Sequence, residues 1–258
     1  MNNRDIKWHY ICEDSLDGIF SGVYSIYKDK KASCNTNLIT EIENYELFSE
    51  YISVKTNLLH SEKVANTIRK LLGIETYHQI CRVACSYESD KADVIFHTIK
   101  KGLSLKYGCD VLLCIHDEAI QRVFEINRTV NNEVLHLHGF LRFQELKKGI
   151  LFAGIEPKND ILLLLAPHFA DRFPLENFII YDKKRKSAIM HKQKSVWAYC
   201  REAVISDDFS LEQSEQEVYF QQMFRQFCKS ISIKERENIS LQKQMLPLRF
   251  RPDMIEFY

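Results

Sequence analysis

The spacing of apolar residues changes near residue 135 and divides the chain into two stretches with different secondary structure. Before that point apolar side chains such as Val64, Ile68 and Leu71 recur every three or four residues, which is the period of an amphipathic helix. After it, short β-branched and aromatic runs alternate with turn residues, which is typical of strands. We therefore expect an α+β protein with a helix-rich half at about 1–134 and a sheet-plus-helix half at about 135–258.

The size and composition of the chain are those of an ordinary globular protein. Its 258 residues are 45% apolar and 27% charged, and 8 glycines and 5 prolines leave little room for long linkers. A chain of this length can bury a large core. We expect both halves to belong to one compact domain spanning residues 1–258.

In the first half one strand precedes a series of helices. Trp8–Cys12 alternates between apolar and polar residues and predicts the strand, after which Asp14 or Ser15 is placed to cap a helix. Further helices are predicted around Val64–Leu72 and at about 75–87, 90–106 and 116–130.

In the second half we predict a small, mainly antiparallel sheet covered by helices. A helix begins at Asn159 or Asp160, and Pro167 should kink or divide it. The Lys183–Lys186 run lies at the turn of a hairpin. The predicted strands are 135–145 (including Gly139–Phe143), 150–156, 178–181, 188–191 and 195–200.

Two helices are predicted at the end of the chain. The first has an apolar face that includes Phe220, Phe224 and Phe227. The second begins with a capping box, Ser232–Glu235, in which two side chains satisfy backbone N–H groups reciprocally, and ends at Pro247.

Four ionisable residues interrupt apolar runs that otherwise suit a core: Arg142, His168, Arg172 and Asp182. Such residues are costly to bury unless they are paired, so they indicate either an internal ion-pair network or a binding site. As a site, Arg172 would hold a phosphate or carboxylate, with His168 and Asp182 as candidate catalytic groups. As a network, Arg172 would pair with Asp171 or Asp182. The sequence leaves both hypotheses open.

Positive charge is concentrated in one segment of a chain whose formal net charge is zero. Residues 140–205 contain 12 Lys and Arg against 7 Asp and Glu, a local surplus of five. A basic face of this kind can contact a phosphate backbone, although a lysine-rich turn can also be merely solvated. Phe250 would stack on a base or anchor the tail in the core. The candidate anion-binding residues are Arg142, Arg172, Lys183, Lys184, Arg185, Arg225, Arg236 and Arg249.

The cysteines and histidines do not have the spacing of a metal site. The eight cysteines form no CxxC pair, and His136 and His138, alternating on a predicted strand, would need a third ligand from elsewhere. Motifs for a P-loop, a Rossmann fold, a zinc protease, a serine hydrolase or a radical-SAM cluster are absent. We expect no metal and no cofactor. With no apolar leader and no spanning segment, we expect a cytoplasmic protein with free thiols and no membrane contact.

Five strings occur in a fixed order along the chain: Asp17–Gly22, GFLRF (139–143), HFADRF (168–173), IIYDKKR (179–185) and Tyr219–Phe250. Together they resemble a bacterial family of conserved hypothetical proteins of DNA metabolism or DNA repair. The resemblance covers nearly the whole chain, and it implies a process more than a mechanism, because no catalytic residues can be carried over. In that family, members are usually encoded beside a radical-SAM protein, and some are fused to a uracil-DNA glycosylase domain; this chain resembles the unfused form.

These observations support three hypotheses of function. The first is a DNA-binding accessory protein in DNA repair or modification, whose partners would be DNA, a radical-SAM protein encoded nearby and a uracil-DNA glycosylase. The second is an enzyme acting on nucleic acid, a phosphodiesterase or a base-processing activity, with His168, Arg172 and Asp182 as its working cluster. The third is a protein-interaction subunit without DNA contact.

Overall fold

The computed structural model describes residues 6–33, 35–42, 44–203 and 212–257. The chain divides into two compact units, unit 1 at residues 1–131 and unit 2 at residues 132–258. Each unit combines helices with a small β-sheet, so the predicted α+β class is confirmed. The expectation of a single domain stays a prediction.

Unit 1 is built on a three-stranded parallel sheet. Its strands lie in the order β2-β1-β3, and β1 pairs in parallel with both neighbours. The predicted strand at the start of the chain is β1; β2 and β3 were missed, and the single antiparallel sheet is wrong for this unit. Parallel neighbours need a crossover, which α1 provides between β1 and β2. The bounds are β1 (Lys7–Ile11), α1 (Leu16–Lys28), β2 (Thr36–Ile39) and β3 (Ser49–Ser53).

The predicted cap of α1 is present. The side chain of Ser15 accepts a hydrogen bond from the Gly18 amide at 3.0 Å, which satisfies one of the free N–H groups of the first turn. Ile19, Phe20 and Ile26 are fully or almost fully buried on one face of the helix. Gly18 is required there, because a Cβ at this position would lie 2.3 Å from the carbonyl oxygen of Glu13.

Helices complete unit 1. The predictions at 75–87 and 90–106 are confirmed by α3 and α4. One helix ends in a π-helical turn at Ile68–Leu72, and a 3₁₀ turn at Gly108–Leu113 precedes the longest helix, α5. Within the described ranges, no helix combines the length and the apolar character needed to cross a bilayer. The bounds are α2 (Leu58–Thr67), α3 (Ile74–Ala84), α4 (Lys91–Ser104) and α5 (Glu118–Phe140), whose last residues belong to unit 2.

Unit 2 contains a five-stranded sheet in the order β4-β5-β6-β7-β8. Three of its four strand pairs are antiparallel, which confirms the prediction for this sheet; β5 and β6 are parallel because α6 crosses between them. The Lys183–Lys186 run forms the predicted hairpin turn between β6 and β7. The bounds are β4 (Gln144–Leu146), β5 (Ile150–Ile155), α6 (Leu162–Arg172), β6 (Phe178–Asp182), β7 (Ser187–His191) and β8 (Ala198–Cys200).

The predicted strand at Gly139–Phe143 is wrong. α5 continues to Phe140, and the first strand of the sheet begins only at Gln144. The helix continues because Val130, Val134 and Leu137 keep a helical spacing and are all buried. His136 and His138 therefore lie on a helix and not on one face of a strand, and Arg142 lies in the connection before β4.

α6 packs on the sheet as predicted. Leu165 and Phe169 are buried, Leu164 is half-buried, and the helix contacts β7. Pro167 lies inside α6, so it does not divide the helix; the alternative, that it kinks the helix, stays a prediction. The ring of Phe143 lies 5.5 Å from that of Phe169 and so extends the core beside the helix.

Both predicted C-terminal helices are present, but the second begins later than predicted. Ser232 is the residue at which α7 ends, and the helix that follows is capped by Asn238, whose side chain accepts a hydrogen bond from the Leu241 amide at 2.9 Å. The capping box at Ser232–Glu235 is therefore wrong. The bounds are α7 (Glu215–Ile231) and α8 (Ile239–Met245), with 3₁₀ turns at Lys234–Arg236, Leu248–Phe250 and Ile255–Phe257.

Two glycine substitutions should have opposite effects on stability. Gly18→Ala should lower the free energy of unfolding by about 1–3 kcal/mol, because its Cβ meets a backbone carbonyl that cannot easily move. Gly139→Ala, in α5 with nothing within 4 Å of the new Cβ, should raise it by up to about 1 kcal/mol. Thermal unfolding of both variants beside the parent checks this, and a stabilising Gly18→Ala would contradict the close packing of α1.

Candidate functional site

Asp182 and Arg185 form an ion pair that fixes the β6–β7 turn. Asp182 is fully buried, and one of its carboxylate oxygens accepts hydrogen bonds from the amides of Lys184 at 2.9 Å and Arg185 at 3.1 Å. The other oxygen accepts from Nη1 of Arg185 at 2.9 Å. Arg185 also donates to the carbonyls of Pro157 and Lys158. The guanidinium thus holds this turn against the connection that follows β5.

A second buried carboxylate, Glu133, lies in α5 and was not marked by the sequence analysis. It is 2% exposed and accepts hydrogen bonds from the amides of Lys158 at 3.1 Å and Asn159 at 2.9 Å. The side chain of Asn159 donates a third at 2.7 Å. Nη1 of Arg249 lies 3.0 Å from the carboxylate and supplies the opposite charge. Arg249 is therefore occupied by a charge of the protein itself.

Two further ion pairs hold the segment that follows α8. Arg142 contacts Glu256 at 2.8 Å and also donates to the carbonyl of Gly139 at 2.9 Å. Lys183 contacts Asp253 at 3.0 Å. Residues 248–257 thus carry the acidic partners of two of the cations that the sequence analysis marked as anion ligands, Arg142 and Lys183.

The same segment is anchored by an aromatic contact. The ring centroid of Phe250 lies 5.4 Å from that of His136 and 5.6 Å from that of Phe140, both on α5. Of its two sequence-based interpretations, this position favours the anchor over the base-stacking residue. Nε of Arg225, on α7, donates to the carbonyl of Ile255 at 3.2 Å.

Arg172, Lys184 and Arg236 differ from this group. All three are exposed, and no carboxylate of the described residues forms an ion pair with their side chains. The guanidinium of Arg172 lies 5.7 Å from the ring of Phe173, and Asp182 is taken by Arg185. The assignment of these side chains to an anion-binding surface stays a prediction.

His168 is packed against another histidine. Its ring stacks on that of His138 with centroids 3.9 Å apart, and Phe169 meets both rings edge-on. Nε2 of each histidine is buried without a hydrogen-bond partner among the described residues. Burial, and then the charge of a protonated His168, lower the pKa of His138, which is therefore neutral at pH 7. The pair has the features of a core contact.

The five-stranded sheet has one buried face and one open face. Successive side chains of a strand point to opposite faces, so the strand register assigns each residue to one of them. Ala153, Ile180 and Ile189 are buried on the face that carries α6. The opposite face is only partly open: Leu146 and Ala188 on it are buried. Its half-buried or exposed residues are Ile150, Phe152, Ile179, Tyr181, Met190 and Ala198.

Two aromatic rings and several lysines mark the open face. The rings of Phe152 and Tyr181 lie 6.5 Å apart on neighbouring strands. A groove of about 470 Å³ at one end of the face is lined by Ile179 and Met190, with Lys148 and Lys192 among its polar residues. Lys186 and Lys192 flank β7 and are six residues apart, which corresponds to about 20 Å along an extended strand. Within the described residues, Lys148, Lys184, Lys186, Lys192 and Lys194 have no carboxylate partner.

Unit 1 carries a wider groove of about 810 Å³, between α4 and the start of α5. Two of its cations are paired with carboxylates: Lys101 contacts Asp117 at 3.2 Å, and Arg122 contacts Asp90 at 2.7 Å. Burial raises the pKa of Asp93, which lines the same groove. This groove therefore offers mixed charge and does not select anions. In the part of the chain that the structure describes, no group of three His, Cys, Asp or Glu side chains could hold a metal ion.

The fold and this surface define a class of protein: an α+β chain whose C-terminal unit presents a partly open sheet bordered by lysines. A family model matches nearly all of that unit and the end of unit 1. The chain belongs to the family described as "Domain of unknown function (DUF4130)", which matches residues 89–256. The match includes all five strands of the sheet and both C-terminal helices. A search of curated proteins found no match.

Two features of this site could have been read from the sequence. Glu133 falls in line with Ile126, Val130 and Leu137, so it is an acidic residue on the apolar stripe of a helix. That position predicts a buried carboxylate with partners. Tyr181 alternates with buried residues of β6, which predicts a ring on the opposite face.

Loss of Arg249 should destabilise the protein. Arg249→Met removes the charged donor of a buried carboxylate, Glu133, and should lower the free energy of unfolding by about 1.5–3 kcal/mol. Arg236→Met is the matched control, because Arg236 is exposed and forms no ion pair within the described part of the chain; it should change the free energy of unfolding by less than about 0.5 kcal/mol. Urea denaturation measures both, and equal small changes would contradict the role given to Arg249.

The lowered pKa of His138 predicts a stability that depends on pH. The folded state binds fewer protons at this site than the unfolded state does below about pH 6.5, so stability is lost as the pH falls through that value. His138→Gln should reduce the difference in free energy of unfolding between about pH 7.5 and pH 5.5. Denaturant titrations at both pH values test this. An unchanged difference in the variant would mean that His138 does not contribute.

Proposed function

We propose that this protein is a DNA-binding accessory protein that acts with a radical-SAM partner in DNA repair or modification. The observation that carries the DNA-binding part is the open face of the five-stranded sheet, where Phe152 and Tyr181 lie between lysine-bearing turns. The radical-SAM partner and the process come from the resemblance of the sequence to proteins of DNA metabolism.

The cations of unit 2 fall into two groups, those paired with carboxylates and those facing solvent, and the second group supports this proposal. Arg142, Arg185 and Arg249 are engaged by carboxylates of the chain, so their charges are largely compensated within the protein. Four lysines of the turns around β7 face solvent and have no carboxylate partner among the described residues: Lys184, Lys186, Lys192 and Lys194. Uncompensated lysines at an open surface are available to phosphates, which bind them without regard to base sequence.

The two rings add a contact that favours a single strand over a duplex. Bases of a single strand are free to stack on exposed aromatic side chains, and each such stack contributes about 1–3 kcal/mol. Paired bases are stacked on one another and do not offer their faces. Because Phe152 and Tyr181 lie in the sheet itself, they give a rigid platform for a strand running between the two sets of lysines.

The hypothesis of an enzyme acting on nucleic acid has less support from the same unit. Asp182 is fully buried and is occupied by backbone amides and Arg185. His168 stacks on His138 and has a buried Nε2. Neither side chain is placed to act on a substrate. A protein-interaction subunit without DNA contact remains the competing hypothesis, and the same binding measurement distinguishes it.

DNA binding is tested by fluorescence anisotropy with labelled single- and double-stranded oligonucleotides at low and high salt. We expect tighter binding of the single strand, weakening with salt. Lys192→Gln should weaken binding to all sequences alike and lower the slope of log K against log salt by about 0.7, the value for one phosphate of a single strand. Tyr181→Leu should weaken single-strand binding by about tenfold while changing the salt slope little.

Lys70→Gln is the matched control, because Lys70 is also exposed but belongs to unit 1 and not to the unit that carries the five-stranded sheet. It should bind as the parent does. Circular dichroism confirms that each variant is folded. Binding that is absent, insensitive to salt or equally reduced by Lys70→Gln would contradict the proposed surface.

The partner is tested separately by purifying the protein together with a radical-SAM protein encoded beside its gene, with and without DNA. We expect a complex that survives purification. If the protein binds single-stranded DNA but does not bind this partner, the DNA-binding part of the proposal is supported and the part that names a radical-SAM partner is contradicted.

A further inference from the structure

The three-stranded parallel sheet of unit 1 carries a row of polar side chains on the face opposite α1. Tyr10 and Leu38 are fully buried on the other face, where Leu38 packs against α1. The strand register aligns His9 of the central strand with Asn37 on one side and with Tyr51 on the other, so these three side chains share the face opposite α1. Parallel sheets are usually covered on both faces by apolar residues. A polar row across the middle of such a sheet therefore needs polar partners.

The imidazole of His9 lacks such partners. His9 is 5% exposed, and both of its ring nitrogens are buried without a hydrogen-bond partner among the described residues. A carboxylate oxygen of Glu46 lies 3.6 Å from Nε2, which is too far for a hydrogen bond. The ring is held by stacking on Tyr51, with centroids 4.8 Å apart. A neutral histidine has one N–H to donate and one nitrogen to accept, and leaving both unpaired is costly.

A pocket of about 340 Å³ is lined by this row, and we call it the His9 pocket. His9, Asn37 and Tyr51 all contribute to its wall. The rest of the wall comes from residues that follow β2 and from residues at the start of α4. The volume is in the range of sites for small organic molecules, and it is far larger than a single ion or water molecule requires.

The charged residues of the His9 pocket favour a cation. Its described lining residues include four carboxylates, Glu41, Glu46, Asp90 and Asp93, and neither a lysine nor an arginine. Glu46 and Asp90 are paired with cations that do not line the pocket. In the part of the chain that the structure describes, the other two carboxylates form no ion pair with a lysine or an arginine.

Asp93 is the carboxylate that a bound cation would stabilise most. Its Oδ1 accepts the amide of Leu38 at 3.0 Å, and its Oδ2 accepts Nδ2 of Asn37 at 3.4 Å. The ring of His97 lies 3.6 Å away and is charged only when it is protonated. Burial raises the pKa of Asp93, because the charged carboxylate is poorly solvated. Since Asn37 donates through its amide nitrogen, its Oδ1 is left as a further acceptor.

We propose that the His9 pocket binds a small organic cation, an amine or a guanidine, whose N–H groups donate to Asp93, to Oδ1 of Asn37 and to a ring nitrogen of His9. Such a cation brings several donors and a positive charge to a site that offers acceptors and negative charge. An anion of the same size would meet the carboxylates. The inference does not rest on the DNA-binding proposal, because all the lining residues belong to unit 1.

The site is tested with methylguanidinium and with N-methylurea, a neutral molecule of nearly the same shape. NMR of the histidine rings in the full chain reports contact with the pocket, and His9→Phe identifies the resonances of His9. Methylguanidinium should shift these resonances and should bind at least about tenfold more tightly than N-methylurea, because hydrogen bonds to charged groups are the stronger ones. Acetate should not shift them.

Two substitutions test the named acceptors. His9→Phe keeps a ring that can stack on Tyr51 and removes both nitrogens, and Asp93→Asn removes the charge. Each should weaken the binding of methylguanidinium by at least about tenfold in ligand-observed NMR titrations. Glu62→Gln is the matched control, because Glu62 is an exposed carboxylate of unit 1 that does not line the pocket. It should bind as the parent does, and circular dichroism confirms that each variant is folded.

Three outcomes would overturn the proposal. Equal affinity for methylguanidinium and N-methylurea would mean that the pocket does not select a cation. Affinity that neither His9→Phe nor Asp93→Asn reduces would place the binding elsewhere. If methylguanidinium does not bind at any concentration at which the protein stays folded, the pocket is not a site for this class of molecule. None of these outcomes changes the expected result of the DNA-binding measurement, so the two proposals fail independently.

Discussion

The organisation of unit 2 depends on the burial of one carboxylate, Glu133. A buried negative charge is tolerated only when hydrogen-bond donors and an opposite charge surround it. Its donors come from Lys158 and Asn159, in the connection between β5 and α6, and its counter-charge from Arg249. The requirement of one side chain on α5 thus joins three parts of the chain that are distant in sequence. The segment after α8 is held in place because it carries the cation.

The same principle sorts the other charges of the unit. Asp182 and Glu256 engage Arg185 and Arg142, so the arginines close to buried carboxylates become structural. The basic surplus of residues 140–205 is then left mainly on the lysines of the turns around β7. These lysines border the sheet face that carries Phe152 and Tyr181. Because the arginines are paired with carboxylates, this surface is where cations remain available to bind an anion.

How much the sequence predicted depended on how local the determining interactions are. The cap of α1, predicted at Asp14 or Ser15, and the β6–β7 hairpin are set by neighbouring residues; the structure confirms both and identifies Ser15 as the cap. β2 and β3 were missed because each is short and pairs with a strand distant in sequence. The end of α5 was misread because the apolar residues after residue 135 fit a strand as well as a helix until their burial is known.

The candidate site shows the same limit. Charge counts identified the basic segment, and the choice between a network and a site was left open for Arg142 and Arg172. The structure assigns Arg142 to an ion pair and shows Arg172 exposed, with no ion pair to any residue that the structure describes. Sequence alone could not separate them, because the partner Glu256 lies more than a hundred residues from Arg142. Which arginine is neutralised is a tertiary property.

Lysine footprinting tests the central claim most directly, namely that the uncompensated lysines of the sheet form the nucleic-acid surface. The folded protein is reductively methylated with and without a single-stranded oligonucleotide, and the modified lysines are located by mass spectrometry. We expect DNA to protect Lys148, Lys192 and Lys194 from methylation, while Lys70 in unit 1 is methylated equally in both samples. Protection confined to unit 1, or no protection of the three sheet lysines under conditions where DNA is bound, would contradict it.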